Sequence, residues 1–274
     1  MGRGPQRAGR CIFCGRGGLS KEHVLPDWLQ EVFPRSSTDT HTVGSFDWIR
    51  IPEHVMPIQN TERRQGQAGT RKVRVVCRAT CNNGWLSRME TATKPLLLDL
   101  VQGYSRTLTV ADQKLLATWI AKTAMVAEFV KKDQVTVSQA TRDRFSANPE
   151  PPAHWNIWIA FYSGTEWLAG NIFHHGVGMY MPPLEMMPGV KNTHYTVITL
   201  GRLMCICTGC EDERQEIKLD ARMDQAVRQL WPAIGRDIAW PPERSIDDQG
   251  AQQVTGAFGK WMGTVVPPLR SARS

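Results

Sequence analysis

Two cysteine pairs constrain this chain more than any other feature. Cys11 and Cys14 are separated by two residues, and Cys77 and Cys81 by three. Tetrahedral zinc takes four soft or borderline ligands, with thiolate sulfurs about 2.3 Å from the ion, and paired cysteines on two turns supply that geometry. A chain that brings both pairs to one ion must fold its N-terminal third back on itself. Gly15, Gly17 and Gly18 follow the first pair and permit the tight turn it needs. The total of seven cysteines is odd, which argues for metal ligation or reduced thiols over a disulfide framework. Cys205, Cys207 and Cys210 lie in an apolar, strand-like run and read as buried thiols. His174 or His194 could complete a metal site there, but that reading ranks second.

The length of 274 residues fits two domains and a full core without disulfide staples. With 41% hydrophobic and 22% charged residues, the chain has a globular composition that excludes wholesale disorder. No apolar run approaches the roughly 20 residues that span a bilayer. The Gly- and Arg-rich start lacks the apolar segment of a signal peptide, so a soluble, cytoplasmic protein without a membrane partner is expected. Residues 1–100 hold 15 lysines and arginines against 9 aspartates and glutamates, and the remainder 18 against 17. The basic excess therefore sits in the first third, where a polyanionic partner would be bound.

Hydropathy patterning predicts an α+β chain. A short helix is expected at residues 27–33, with Pro26 at its first turn. Residues 34–69 read as polar and irregular, with one strand at 46–51. A strand at 72–76 leads into Cys77, and a helix at 84–93 is followed by Pro95, with helix resuming at 96–101. Residues 109–130 form the clearest helix, carrying Leu115, Leu116, Trp119, Ile120, Ala124, Ala127 and Val130 on one stripe. Three prolines within residues 146–153 suggest a linker. Strands are expected at 155–162, 167–173 and 195–207, then a helix at 219–231 and an irregular tail. The sequence Glu22-His23-Val24-Leu25-Pro26 recurs as Glu53-His54-Val55-Met56-Pro57, but only the first copy closely follows a cysteine pair. His54 reads as a surface or loop residue.

Glu22-His23 and Pro26 after the first pair, with Cys-Asn-Asn-Gly-Trp-Leu-Ser beginning at Cys81, resemble the HNH endonuclease family, the zinc-stapled branch of the ββα-metal nucleases. The matching residues are Cys11, Cys14, Glu22, His23, Pro26, Cys77, Cys81 and Asn82, within roughly residues 10–95. The resemblance implies an N-terminal zinc-stapled ββα-metal finger over residues 1–104, followed by a mixed helical and β domain over 105–274. It implies His23 as general base, with Glu22 and Asn82 as ligands of a catalytic Mg²⁺ or Mn²⁺, and Cys11, Cys14, Cys77 and Cys81 holding a structural Zn²⁺. A neutral imidazole near pKa 6.5 can take a proton from water at physiological pH. A divalent ion held by hard oxygen donors offsets charge on the phosphorane and the leaving oxygen.

DNA is the implied substrate, with Arg16, Lys21, Arg71, Arg74, Arg78 and Arg88 expected near its phosphates. Double-strand cleavage by one finger would take two copies, so a homodimer is among the expected partners. Lys72 stands near the place where the family carries its middle asparagine, the residue that orients the histidine. That departure supports a rival reading, a non-catalytic zinc module that binds nucleic acid or a protein partner. A third reading is an interaction protein built on the C-terminal part.

Overall fold

The computed structural model describes residues 9–34, 40–51, 54–66, 71–131, 135–177, 191–212, 219 and 223–265. It is a mixed α/β structure with four cysteines clustered near its N-terminus. After the first cysteine pair come β1 (Leu19–His23) and the single-turn α1 (Leu29–Val32). β2 (Thr40–Ile51) and β3 (His54–Gln65) follow, then β4 (Lys72–Cys77). β1 and β4 pair antiparallel, with Leu19 opposite Cys77 and His23 opposite Lys72. Residues Arg78–Leu86 leave β4 as a wide π-helical turn that enters α2 (Ser87–Gln102).

The expectation of an irregular 34–69 stretch is corrected. β2 and β3 form a two-stranded ribbon, paired from Thr40–Gln65 to Ile51–His54, so His54 lies at a strand end. Polar composition and Pro57 disguise it. In a two-stranded ribbon each strand keeps one unpaired edge, where a proline costs no ladder bond.

α3 (Val110–Ala127) begins at Thr109, whose hydroxyl accepts from the Asp112 amide while the Asp112 carboxylate accepts from the Thr109 amide. One apolar stripe is expected, yet every residue from Leu116 to Ala127 is buried. The helix is the central pillar of the molecule and not a surface element. It continues as a 3₁₀ turn over Glu128–Val130. Pro95 does not interrupt α2; it sits exposed within the helix, at the cost of one backbone hydrogen bond.

β5 (Arg106–Leu108) pairs with β11 (Ile238–Trp240) beside α3. The main sheet runs β10 (Val227–Trp231), β6 (Asn156–Tyr162), β9 (Leu203–Cys210), β8 (Thr193–Leu200) and β7 (Asn171–Val177). β12 (Ser245–Ile246) adds parallel to β6. The single strand expected at 195–207 is two strands joined at Gly201 and Arg202. Within the expected helix at 219–231, residues 227–231 are a strand, because pairing with β6 satisfies their backbone. The expected irregular tail contains α5 (Asp248–Val265).

Both faces of the sheet are covered, which explains its nearly continuous apolar strands. Ile157, Ile159, Ile198, Cys205 and Cys207 face the cluster that contains α2 and α3. Trp158, Ala160, Val197, Met204 and Ile206 face Ala251 and Val254 of α5. The first cluster also holds Cys11, Ile12 and Phe13, so residues on both sides of the expected boundary at 104 share one core. α4 (Gln139–Ala147) reinforces that union: Gln139 Nε2 donates to the Ile12 carbonyl at 2.8 Å, and Ser146 Oγ to that of Phe13 at 2.9 Å.

Candidate metal centre and the adjoining strand pair

The first cysteine pair sits on a knuckle closed by two backbone bonds, Cys11 N–H to the Arg16 carbonyl and Gly15 N–H to the Cys11 carbonyl. Gly15 adopts φ +66°, a left-handed conformation that glycine enters without a Cβ penalty. The Ile12 amide donates to the Val75 carbonyl at 2.9 Å, docking the knuckle on β4. Phe13 packs edge-on to Trp85 and near Phe145, with ring centroids 5.2 and 6.2 Å away. Cys77 closes β4, and Cys81 lies one turn into the following helix.

These placements gather four sulfurs. Cys11 and Cys81 Sγ are 3.7 Å apart, Cys14 and Cys77 Sγ 3.4 Å, and all four lie within 4.8 Å of one another. Four ligands at 2.3 Å on a tetrahedron stand about 3.8 Å apart, so the cluster fits a zinc-sized ion and its thiolate chemistry. The hydrogen bond with Cys81 lowers the Cys11 thiol to about 4 and raises that of Cys81, while burial raises Cys14. A thiolate at neutral pH is the form a metal ligates. Among the described residues this is the sole such cluster. Cys205 and Cys207 are buried in β9, their thiols raised by burial, and Cys210 Sγ accepts from Thr193 Oγ1 at 3.0 Å.

The strand pair beside the cluster carries the expected catalytic residues. Neighbouring residues on a strand point to opposite faces, and residues paired across strands share one. Glu22, opposite Val73, faces inward and is buried, with its Oε1 3.8 Å from Nζ of the buried Lys122 on α3. Burial raises the Glu22 carboxyl, Lys122 opposes that rise and Glu90 adds to it. His23 shares the outer face with Lys72 and is partly exposed, at 23% for its side chain. Its Nε2 lies 3.1 Å from Oδ1 of Asp27, the fourth residue onward.

Asn82 Nδ2 donates to Ser20 Oγ at 2.9 Å, and that hydroxyl donates to the Val76 carbonyl at 3.2 Å. Asn82 thus ties the helical turn to β1, while Asn83 is exposed. Arg16, Lys21, Arg74, Arg78 and Arg88 are exposed and Arg71 is half-buried; Arg16 Nη1 also donates to Thr80 Oγ1 at 3.1 Å. Trp155, Trp158 and Trp240 are buried in packing.

Sequence reasoning passed over Lys122 and Asp27. The His23-x₃-Asp27 spacing was a signal for the second; Lys122, a lone cation inside the apolar pattern of α3, was a signal for the first. No helix among the described residues is long and apolar enough to cross a membrane. Compared with known proteins, the chain matches no family model, and no curated protein or solved structure gives a significant match.

Proposed function

We propose that the chain is a zinc-stabilised HNH-type endonuclease that hydrolyses DNA phosphodiester bonds, with His23 as general base. The observation that carries this reading is the order of parts. An antiparallel strand pair, β1 and β4, leads directly into a helix, a four-cysteine cluster staples the junction, and a partly exposed histidine ends the first strand. In this reading the zinc does no chemistry and fixes the turns around His23.

Glu22 and Asn82 offer the oxygen donors that Mg²⁺ or Mn²⁺ takes. Glu22 is paired with Lys122 and Asn82 is bonded to Ser20, so holding an ion there requires exchanging both contacts. When bound, the ion would offset negative charge on the phosphorane and the leaving oxygen. His23, on the solvent side of the strand, accepts a proton from the attacking water. Lys21, Arg74, Arg78, Arg16 and Arg88 are exposed and Arg71 is half-buried, and these cations would attract phosphates. Double-strand cleavage would take two copies of the chain.

The engaged side chains of Glu22 and Asn82 favour a second reading, a zinc module that binds nucleic acid or a protein without cutting. Plasmid cleavage by the purified chain with Mg²⁺ or Mn²⁺, beside EDTA and His23→Ala controls, separates the two. Metal-dependent nicking or linearisation that disappears in His23→Ala supports the nuclease. Binding without cutting in either metal supports the module, and cutting unaffected by His23→Ala refutes the assignment of the base.

A further inference from the structure

We propose that the four-cysteine cluster is also a redox site, at which a hydroperoxide oxidises Cys14 first and joins it to Cys77 as a disulfide. The inference uses the cluster alone and does not rest on the nuclease reading. The sulfurs pair across the two loops: Cys14 Sγ lies 3.4 Å from Cys77 Sγ, and Cys11 Sγ lies 3.7 Å from that of Cys81. Each of these contacts links the knuckle to the segment around the end of β4, across 63 and 70 residues of sequence. Disulfide sulfurs stand about 2.05 Å apart, so Cys14 and Cys77 have to close by about 1.4 Å.

Access separates the four thiols. Cys14 is half-buried, whereas Cys11, Cys77 and Cys81 are buried. The arm that follows Cys14 is bare, since a Cβ built on Gly15, Gly17 or Gly18 would meet no atom within 4 Å. A small oxidant therefore reaches Cys14 first, and susceptibility follows thiolate character and exposure. The loops stay together without help from a metal. The Ile12 amide donates to the Val75 carbonyl at 2.9 Å, the Arg78 amide to the Gly18 carbonyl at 3.0 Å, and Arg16 Nη1 to Thr80 Oγ1 at 3.1 Å. Those bonds hold Cys77 within reach of an oxidised Cys14.

The chemistry closes in two steps. The Cys14 thiolate attacks one peroxide oxygen, the O–O bond breaks, and a sulfenic acid forms as the other oxygen leaves and is protonated to water. The Cys77 thiolate then attacks the Cys14 sulfur, the S–S bond forms, and hydroxide leaves and takes a proton. The two sulfurs give up two electrons in total, which the peroxide oxygens accept. Only Cys11 and Cys81 then remain as thiolate donors, half of the set that a tetrahedral zinc site needs.

The test treats the full-length chain, purified in zinc, with excess hydrogen peroxide. Sulfenic acid is trapped with dimedone, disulfides are mapped by non-reducing peptide mass spectrometry, and released zinc is read with a chromogenic chelator. The first dimedone adduct is expected on Cys14, and the free-thiol count is expected to fall by two from seven as a Cys14–Cys77 disulfide appears. One zinc should be released per disulfide, and dithiothreitol with added zinc should restore both. Cys205, Cys207 and Cys210, buried in β9, should stay reduced and serve as internal controls. A first adduct on Cys11, Cys77 or Cys81 would overturn the proposal. So would a disulfide within either sequence pair, Cys11–Cys14 or Cys77–Cys81, or seven thiols unchanged after prolonged exposure. A Cys14–Cys77 disulfide formed in a chain that carries no zinc would uphold the redox pairing and refute zinc as the cluster's ligand.

Discussion

Acid should unfold this protein through histidines buried far from the candidate metal centre. His175 and His194 lie on the adjacent strands β7 and β8 and are almost fully buried. Burial, reinforced by His174 and by Lys191 and Lys131, pushes His175 down to about 2. Burial, with His174 and His154 adding to it, pushes His194 well below its ordinary value. His194 packs 4.2 Å from the Trp155 ring, its Nδ1 is 3.4 Å from Thr196 Oγ1, and its Nε2 is buried without a hydrogen-bond partner. Both rings are therefore neutral in the folded state, whereas in the unfolded chain each takes a proton near pH 6.5. Their contribution to stability is full above pH 6.5 and is lost as pH falls below it. Between pH 6.5 and about 4.5 His175 should cost about 2 kcal/mol, with His194 adding to the loss, a large share of the 5–15 kcal/mol of a typical fold. Urea melts of wild type and His175→Gln at several pH values across that window would measure it. Loss of any metal held by the four cysteines would be common to both proteins, so the difference in slope isolates the histidine. His175→Gln should lose about 2 kcal/mol less over the window. A variant that destabilises in acid as steeply as wild type would refute the reasoning.

Three further outcomes follow from the described contacts. One equivalent of zinc should copurify with the chain by elemental analysis, and Cys81→Ser should lose it together with a large drop in melting temperature, because the knuckle carries Ile12 and Phe13 of the core; full thermal stability without metal would contradict a structural role. Glu22→Gln should cost about 3–5 kcal/mol in chemical denaturation, leaving the buried Lys122 ammonium uncompensated, and Lys122→Met in the same chain should recover most of it. Gly201→Ala should destabilise by more than about 2 kcal/mol, since at φ +52° its Cβ would stand 2.3 Å from the Val101 carbonyl oxygen, where the β8–β9 turn meets the end of α2; a variant with wild-type melting would refute that close approach.

Elements governed by short-range chemistry could be read before folding. The Cys-x₂-Cys knuckle with its glycines, the strand entering Cys77 and the helix that starts at Thr109 depend on neighbours a few residues away, and each stands where its local pattern puts it. The four-cysteine grouping followed from ligand chemistry, since two thiolate pairs suit one tetrahedral ion. Residues 227–231 and the β2–β3 ribbon carry polar, broken patterns that make sense only beside a partner strand, and the Gly201 turn divides an apolar run that looks continuous until its two halves pair.

The amino-acid sequence by itself determined that an N-terminal metal cluster could form and that a basic, histidine-bearing segment would stand next to it. Only the tertiary structure decided which side of β1 each functional group faces. It set Glu22 against Lys122 on a helix remote in sequence, bonded Asn82 to Ser20, and left His23 partly exposed beside Asp27. Local propensity acts through adjacent residues, whereas the partner of a buried charge is chosen by the packing of whole elements, and no short stretch of sequence contains that choice.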